Sequence, residues 1–350
     1  MQYDKKYDVV IVGAGPGGLR CAEVLGKAGK NVLLVEKKEI IGPKICAGGL
    51  TRKAIAYLHD IGLPKSIIEQ EFDGLLFRIN SFKTRINFGE TFLYTIKRES
   101  LGQWQAQKLN NLKNVTVTIG DLVTKIEKDF VMINKDHNVK YDFLIGADGS
   151  NSMVRKFLDL DTSMFGVAYQ YMIPTKKGEY EDIEIIFDSK FFHAWYGWIF
   201  PYENITSIGT GYFPKIMSAK DSMEKFDKWL KKEKIDIKNS KMEAHPINCD
   251  YQGYQFDNIF LVGDAAGFAS GFTGEGIYQA IISGDEVAKV ILDEKYVSKM
   301  IPEILHEKRV HEILLRLLII AGPFRNMIFY LVVLFVKIPW CGKILLRVLS

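Results

Sequence analysis

The sequence predicts an α/β protein in which a parallel sheet layered with helices carries an inserted antiparallel β-sheet and a C-terminal helical segment. Residues 7–36 have the pattern of a strand, a glycine turn, a helix and a second strand. Residues 72–94 and 164–213 contain short runs that alternate apolar with polar positions, which is the period of antiparallel strands. Residues 313–350 are apolar and basic, and two prolines interrupt them, which favours short helices.

The first strand leads directly into a glycine turn, GAGPGG at 13–18, and the second strand ends on Glu36. In this pattern Gly13 permits the tight turn, Gly15 lets the backbone approach a pyrophosphate, and Gly18 lets the helix pack closely on the strand. The free N–H groups at the start of the helix attract phosphate. Glu36 can accept hydrogen bonds from both ribose hydroxyls. This Rossmann-like unit therefore predicts a bound dinucleotide, and the acid favours FAD or NAD over NADP.

Two features that follow this unit also suit a ligand. The segment KICAGGL at 44–50 contains a Gly-Gly pair that could press against a flat molecule, although a plain connecting loop is equally consistent with it. Arg98 begins the helix predicted over 98–112, where a cation opposes the helix dipole. A phosphate partner would offset that repulsion, and an ordinary surface arginine is the alternative interpretation.

Two further buried apolar runs end in acids flanked by glycine, at Asp148 and Asp264. A glycine-rich loop at 271–276 follows the second acid and opens another predicted helix. Ligands bind at the carboxyl ends of parallel strands in folds of this kind. We therefore expect Glu36, Asp148 and Asp264 to lie at one edge of the sheet.

The aromatic run at 192–200 predicts a strand that is apolar on both faces. Three of its rings share one face: Tyr196, Trp198 and Phe200. They could form the wall of a narrow apolar tunnel, and Gly209 and Gly211 on the return strand would leave room for a bulky chain. An ordinary aromatic core between layers is the alternative.

The C-terminal segment contains five basic residues and no acidic ones between positions 313 and 350: Arg316, Arg325, Lys337, Lys343 and Arg347. Its longest apolar run, 328–336, is far shorter than the roughly 20 residues that a membrane-spanning helix needs. We expect short helices that cap the core, line an apolar cavity or contact a membrane surface.

The bulk composition limits the remaining possibilities. The chain has 350 residues, enough for two or three domains, and its net charge of +4 is too small to indicate nucleic-acid binding. The cysteines at 21, 46, 249 and 341 form no CxxC pair, so we expect free thiols and no metal site. The charged N-terminus enters the first strand at once, which predicts a cytoplasmic protein, with peripheral contact at the inner face of the cell membrane as an addition.

Taken together, the glycine turn and the glycine-flanked acids resemble the flavoprotein hydroxylase fold typified by para-hydroxybenzoate hydroxylase, which binds FAD. The stretches YGWIFP at 196–201 and IGTG at 208–211 resemble the YxWxFP…GxG signature of geranylgeranyl reductases. The segment at 44–50 resembles that family's cysteine-containing loop over the flavin. The family loop often reads Cys-Gly-Glu-Gly, whereas this chain has Ala47-Gly48 in the middle.

The resemblance implies a discontinuous FAD-binding domain over 1–70, 96–160 and 251–295, a β-sheet substrate domain over 71–95 and 161–250, and a helical segment over 296–350. Flavin contacts carried over from the family fall on Gly17, Glu36, Cys46, Ala47, Gly49, Arg98, Leu122, Asp264, Gly276 and Ile277. The motifs themselves add Gly13, Gly15, Pro16, Gly18, Lys37, Asp148 and Gly274 to the expected cofactor site.

The activity implied by the resemblance is reduction of C=C bonds in a prenyl chain carried by a lipid, an alcohol or a quinone. Cys46 is the candidate catalytic residue, and packing against the flavin is its alternative role. The sequence has no second dinucleotide fingerprint, so NAD(P)H would visit transiently, and ferredoxin or a quinol is an equally suitable donor. The alternative functions are an FAD-dependent monooxygenase of an apolar substrate and a membrane-docked electron-transfer flavoprotein.

Overall fold

The computed structural model describes residue 3, residues 5–176 and residues 178–336. Four predicted positions of the C-terminal segment lie outside the described residues: Lys337, Cys341, Lys343 and Arg347.

The helices and short 3-10 turns alternate with strands along the chain. The helices are α1 (Pro16–Lys27), α2 (Arg52–Asp60), α3 (Arg98–Gln107), α4 (Met153–Phe157), α5 (Ser189–Phe192), α6 (Ala219–Lys232), α7 (Ile277–Leu292), α8 (Met300–Ile320) and α9 (Arg325–Val336). The 3-10 turns are Lys65–Ile67, Gly149–Asn151, Gly263–Ala265 and Gly322–Phe324.

The strands are β1 (Lys6–Val12), β2 (Val32–Glu36), β3 (Gly49–Thr51), β4 (Ile68–Phe72), β5 (Gly74–Ile79), β6 (Phe82–Asn87), β7 (Leu93–Ile96), β8 (Val115–Ile119), β9 (Val123–Ile126), β10 (Phe130–Ile133), β11 (His137–Gly146), β12 (Phe165–Pro174), β13 (Ile183–Phe187), β14 (Gly197–Pro201), β15 (Ile205–Tyr212), β16 (Met242–Asn248), β17 (Gln255–Phe256) and β18 (Ile259–Leu261).

The first sheet is mostly parallel and has the order β17-β18-β11-β1-β2-β8. Its central strand β1 is a buried Val-Val-Ile-Val run, as expected for a strand covered on both faces. β11 is one strand that pairs with β10 antiparallel in its first half and with β1 parallel in its second. The carboxyl ends of β1, β2, β11 and β18 therefore lie at one edge, as the three acids predicted.

Helices α1 and α7 cross closely on one face of this sheet. A Cβ atom at Gly284 of α7 would lie 2.8 Å from the carbonyl carbon of Gly17 in α1. Only two glycines allow that approach, which fixes the start of α1 beside the loop that precedes α7. The helix predicted over 98–112 ends at Gln107, before two asparagines that are poor helix formers.

The second sheet, with the order β16-β12-β15-β14-β13-β5-β6, is antiparallel apart from the parallel pair β5 and β13. One face packs on α5 and α6, where Phe226 and Trp229 are buried. The opposite face contributes residues of β5 and β13 to a cluster that includes α9. A small third sheet, β3-β7-β4, joins the segment after Cys46 to the strand before α3, so not every alternating run of 72–94 belongs to one sheet.

The predicted strand at 192–200 begins only at Gly197. Residues 189–192 form the helical turn α5, which Asp188 caps by accepting a hydrogen bond from the Lys190 N–H at 3.0 Å. His193 then has a positive φ of 56°, which ends the turn. The strand prediction was therefore wrong for 192–196. The apolar pattern that suggested a strand comes from Phe191 and Phe192, which are buried in a helical turn.

Helices α8 and α9 close the open side of the second sheet. Phe329 and Val333 of α9 are buried against it, while much of the outer surface of both helices is apolar and exposed. Among the residues that the structure describes, no individual helix has the length and apolarity needed to cross a membrane. Met300–Ile320 and Gly322–Phe335, bent by 115° at the break between them, meet that requirement only as a pair, by length and composition.

Candidate active site

One continuous cavity of about 950 Å³ connects the edge of the first sheet with helices α8 and α9. We call the part formed by the loops after β1, β2, β11 and β18 the cofactor end. We call the part formed by β13, β14, α8 and α9 the apolar end. The size of the cavity is within the range that accommodates a large ligand.

The glycine turn at the cofactor end leaves no room for a side chain. Gly13 has a φ of 100°, and a Cβ there would lie 2.5 Å from the carbonyl oxygen of Ala147. The Glu36 carboxylate accepts hydrogen bonds from the N–H of Ala14 at 2.7 Å and of Lys38 at 2.9 Å. These bonds hold the carboxylate beside the turn, and its remaining lone pairs can accept ribose hydroxyls.

Asp264 lies in an ion pair at the centre of the cofactor end. Its carboxylate accepts from the Nζ of Lys44 at 2.8 Å and from the hydroxyl of Ser150 at 3.1 Å. Burial acts to raise the pKa of Asp264, but Lys44, His245 and Ser150 together outweigh it and the net shift is downward. Burial, together with Lys44, also lowers the pKa of His245 to about 4. The acid is therefore charged and the imidazole neutral at pH 7.

Arg98 is buried at the start of α3, and its Nη1 has no hydrogen-bond partner within the described residues. Burial lowers the pKa of the guanidinium, although Cys46, Asp264 and Tyr202 lie close enough to act in the opposite direction. An unpaired buried cation costs considerable free energy. A ligand that brings a carbonyl or phosphate oxygen to Nη1 would remove that cost, so this residue fits a bound FAD.

The Cys46 loop is held by a tyrosine contact. The hydroxyl of Tyr202 donates to the Ala47 carbonyl oxygen at 2.7 Å, and the Gly48 N–H lies 3.3 Å from the Cys46 Sγ. Gly48 has a φ of 72°, and a Cβ there would collide with the Tyr202 hydroxyl and lie 2.5 Å from the Ile96 carbonyl oxygen. A glutamate would not fit at this position, so the structure requires the glycine by which the chain departs from Cys-Gly-Glu-Gly.

Asp148 follows β11 and also lies on the cavity wall. One carboxylate oxygen accepts from the Met153 N–H at 2.6 Å, at the start of α4. The other oxygen is buried without a partner among the described residues, and burial raises the pKa of the group.

The loop at 271–276 connects the two ends of the cavity. The indole N–H of Trp195 donates to the Phe272 carbonyl oxygen at 2.8 Å, and the hydroxyl of Tyr196 donates to the Thr273 carbonyl oxygen. Glu275 lies between the loop glycines, and its Oε1 is buried without a partner in the described residues. Burial raises its pKa to about 7. This glutamate falls within the glycine-rich loop of the sequence, but no role was predicted for it.

The aromatic residues predicted for the substrate site all line the cavity: Tyr196, Trp198 and Phe200. The two glycines do not. A Cβ at Gly211 would lie 2.5 Å from the Cε3 of Trp195, and the Trp198 ring covers Gly209 in the same way. The expected room for a substrate chain is filled by the protein's own indoles, so Gly209 and Gly211 position these rings and are not part of the cavity wall.

The far wall of the apolar end was not predicted residue by residue. Phe329 of α9 stacks on Phe187 of β13 with ring centres 4.3 Å apart. The other residues contributed by α8, α9 and the turn between them are Leu314, Leu317, Leu318, Ile320, Ala321, Ile328, Val332 and Val333. Helical spacing and apolarity in the C-terminal segment were the only sequence signal for them.

The predicted cofactor residues converge at the cofactor end. Those on the cavity wall are Gly13, Gly15, Pro16, Gly17, Glu36, Lys37, Cys46, Ala47, Gly49, Arg98, Leu122, Asp148, Asp264, Gly274, Gly276 and Ile277. Gly18 is not on the wall. A Cβ there would lie 2.9 Å from that of Ala147, so Gly18 serves the packing of α1. Contact between these residues and a cofactor remains a prediction.

Comparison with known proteins identifies the family. The FAD binding domain family matches residues 6–198. The geranylgeranyl diphosphate reductase of Synechocystis sp. is 30% identical over 310 residues, which cover 81% of this chain and 75% of that protein. The digeranylgeranylglycerophospholipid reductase of Methanococcus vannielii is 28% identical over 325 residues, with coverages of 84% and 80%.

A solved structure shares the whole architecture. The geranylgeranyl bacteriochlorophyll reductase-like protein from Thermoplasma acidophilum superimposes with a TM-score of 0.75 at 22% identity, covering 92% of each chain. Its likeness supports the fold, while the sequence relatives and the domain match carry the family assignment. The chain therefore belongs to the geranylgeranyl reductase family of FAD-dependent oxidoreductases.

Proposed function

We propose that this protein reduces C=C bonds of a prenyl chain that extends from the cofactor end into the apolar end of the cavity. The observation that carries this proposal is the continuity of the two ends, because the apolar end begins next to the expected flavin site. The polar atoms of its rings are bonded within the protein, so the wall offers a long substrate little except apolar surface. An isoprenoid chain has no polar atoms of its own, so apolar surface is enough to bind it. The names of the reductase relatives support the same substrate class.

The residues at the cofactor end fit FAD in separate roles. The turn at 13–17 and the start of α1 suit the pyrophosphate, and Glu36 suits the ribose. Arg98 and the segment Cys46–Gly49 suit the flat ring system. When bound and reduced, FAD supplies the hydride for one alkene carbon. The protein holds the alkene in line and keeps water out, which matters because isolated alkenes are poor hydride acceptors.

The test is anaerobic. The flavin-loaded protein is reduced with dithionite and mixed with a geranylgeranyl lipid while flavin absorbance is followed. We expect reoxidation together with a lipid product that has gained two hydrogens per bond. Reoxidation only after oxygen is admitted, with one oxygen atom in the product, would instead support a monooxygenase. No product under either condition would mean that the substrate class is wrong or that the protein does not act on prenyl chains. An electron-transfer role predicts no apolar cavity beside the flavin, so the cavity disfavours it.

The electron donor is proposed to bind transiently, because the chain has one dinucleotide fingerprint and it is assigned to FAD. NADH, NADPH, reduced ferredoxin and a quinol can be compared as reductants of the oxidised protein. The donor is the one that reduces the flavin at least as fast as the enzyme turns over.

We also infer that the outer surface of α8 and α9 contacts an anionic lipid membrane. Ile320 is 81% exposed and Phe324 64% exposed at the bend between the helices. The same helices line the apolar end from within, so a lipid substrate would have a short route from a bilayer into the cavity. The chain after Glu312 contains only basic charges, which complement anionic headgroups.

This inference predicts binding to phosphatidylglycerol vesicles and weaker binding to phosphatidylcholine vesicles. The double variant Ile320→Asp, Phe324→Asp should abolish sedimentation with either vesicle. Val297→Asp is the matched control, because Val297 is 80% exposed and precedes α8. Equal vesicle binding by both variants would contradict the inference.

A further inference from the structure

Glu275 lies in the loop that connects the two ends of the cavity. It lies on the cavity wall in the loop before α7, next to the loop residues that bind Trp195 and Tyr196. Its Oε1 is buried and has no hydrogen-bond partner within residues 5–176 and 178–336. A buried carboxylate oxygen without a partner is costly, which favours the neutral acid.

A neighbouring amide side chain also has a buried oxygen for which the described residues provide no partner. Gln279 lies one helical turn further on in α7, and its side-chain oxygen is also buried without a partner in the described part of the chain. The Gln279 side chain acts to lower the pKa of Glu275, as a hydrogen-bond donor to the carboxylate does, but its own oxygen gains no donor while Glu275 is ionised. A protonated carboxyl group can donate to an amide oxygen, so one proton on Glu275 would supply the missing donor for this pair.

The charges that face Glu275 come from several elements. Glu307 of α8 acts to raise its pKa, whereas Lys53 of α2 and the polar side chains of Thr51 and Gln279 act to lower it. Burial exceeds these contributions. The Lys53–Glu307 ion pair has side chains that are 29% and 22% exposed, so it provides a contact with solvent next to a buried acid.

We propose that Glu275 is the proton donor in the reduction of the prenyl double bond, an inference that rests on the proposed function. The π bond of the alkene breaks and two C–H bonds form. The hydride and its electron pair reach one carbon from the reduced flavin, which is oxidised. The proton reaches the other carbon as the O–H bond of Glu275 breaks and leaves a carboxylate. Solvent then reprotonates the Glu275 carboxylate by way of the partly exposed Lys53–Glu307 ion pair.

The rival donor is Cys46, which also lies on the cavity wall. Burial raises the pKa of Tyr196 well above its usual value, and both Glu275 and Cys46 are close enough to add to this effect. The tyrosine hydroxyl is committed to the Thr273 carbonyl oxygen and therefore holds the loop in place. Glu275 and Cys46 can be separated experimentally because Cys46→Ser keeps a hydroxyl in the loop while Glu275→Gln keeps the shape of the glutamate.

The first experiment measures the protonation state without turnover. Infrared spectra of the flavin-loaded protein, with the side-chain carboxyl carbon of glutamate labelled, are recorded across the pH range. We expect a protonated carboxyl band that disappears as the pH rises through about 7, that is missing from Glu275→Gln and that persists in Glu303→Gln. Glu303 is an exposed carboxylate of α8 and serves as the control. A Glu275 that is ionised at pH 6 would overturn the proposal.

The second experiment measures single turnover of the pre-reduced enzyme with a geranylgeranyl lipid. Glu275→Gln should slow product formation by about 100-fold or more with little change in lipid binding, as expected for the loss of a general acid. Glu275→Asp should recover part of the rate, and Glu303→Gln should retain all of it. The wild-type rate should fall as the pH rises above about 7, where Glu275 loses its proton.

The outcomes separate the two levels of the proposal. If the wild type reduces the lipid and Glu275→Gln does so equally fast, Glu275 is not the donor and the proposed function stands. A large loss confined to Cys46→Ser would assign the proton to the thiol. If the wild type gives no reduced lipid, the proposed function fails and the assignment of Glu275 fails with it.

Discussion

The two ends of the cavity use polar atoms in opposite ways. At the cofactor end, backbone N–H groups and charged side chains are held in place close to the space where a ligand would lie, and Arg98 still has an unused donor. At the apolar end, the ring N–H groups of Trp195 and Trp198 are bonded to Phe272 and Ser207. The rings thus present mainly carbon to the cavity.

Because of this difference, one cavity can select a cofactor strictly and accept a range of apolar substrates. Directed hydrogen bonds at the cofactor end select one molecule by the position of its polar atoms. Apolar contacts at the other end select by size, and a methylene more or less changes the free energy of binding by only about 1–3 kcal/mol. Substitutions that remove or crowd a ligand contact at the cofactor end should therefore change ligand affinity more than substitutions of similar volume at the apolar end.

Gly13→Ala should have the largest effect. The alanine would adopt a left-handed conformation, at a cost of ~1–2 kcal/mol, and its Cβ would collide with the Ala147 carbonyl oxygen. With the cost of overpacking included, we expect FAD affinity to fall by about 1,000-fold. The measurement is a fluorescence titration of the flavin-free protein with FAD.

Gly29→Ala is the matched control for this substitution. Gly29 also has a positive φ, of 86°, but a Cβ atom added there would have no neighbouring atom within 4 Å. The variant should lose some stability in thermal unfolding and keep its affinity for FAD. An equal loss of FAD affinity in both variants would indicate that backbone strain alone, and not crowding at the turn, weakens binding.

Arg98→Met should separate stability from binding. Removing a buried cation with an unpaired nitrogen is expected to raise the melting temperature of the flavin-free protein. The same variant should bind FAD about 10- to 100-fold more weakly, because it loses a charge-assisted hydrogen bond worth ~1.5–3 kcal/mol. Thermal unfolding without FAD tests the expected gain in stability, and unfolding with FAD tests the expected loss of binding. A variant that is destabilised without FAD would show that Arg98 is already satisfied by the protein.

The cofactor end could be predicted because its signals are local in the sequence. Gly13 and Glu36 belong to one strand–turn–helix–strand unit, and the requirements of that unit fix their positions relative to one another. Asp148 and Asp264 were placed by the rule that parallel strands end at one edge. The acids themselves were found without any knowledge of which residues pair with them, so Lys44 and His245 were missed.

The sequence predicted the apolar character of this end of the cavity but not its individual wall residues, because distant segments of the chain form the wall. The sequence indicated aromatic rings in the substrate region and an apolar C-terminal segment. That the rings of Trp195 and Trp198 would cover Gly211 and Gly209 depends on how β14 and β15 pack, which alternation does not reveal. Likewise Phe329 meets Phe187 from 142 positions further along the chain, a contact that no local pattern encodes.

Val333→Phe tests whether the apolar end selects by size. Val333 is buried in α9 and lines the cavity, so a phenyl ring there would shorten the available space. We expect the preference for a geranylgeranyl over a geranyl substrate, measured as kcat/KM, to fall by about 10-fold, with FAD affinity unchanged. Val297→Phe serves as the control, because Val297 is 80% exposed and lies outside the cavity wall. An unchanged preference would show that the chain does not reach α9.

Lys44→Met should have the smallest effect, and its sign depends on pH. In the wild type the folded-state pKa of Asp264 is lowered, so this acid stabilises the fold above about pH 4, and the contribution is lost as the pH falls through the folded-state value. In the variant, which lacks the ammonium, burial raises the folded-state pKa of Asp264 above its unfolded value. The variant therefore loses stability as the pH rises and Asp264 must ionise in the folded state. Removing Lys44 also allows His245 to take up a proton more readily, which favours the folded variant at low pH.

In flavin-free protein the variant should therefore be about 1 kcal/mol less stable than the wild type at pH 7, with a smaller difference near pH 4. Urea unfolding at both pH values measures this, with the exposed Lys83→Met as the control. A deficit that is the same at both pH values would show that the ion pair does not control the charge of Asp264.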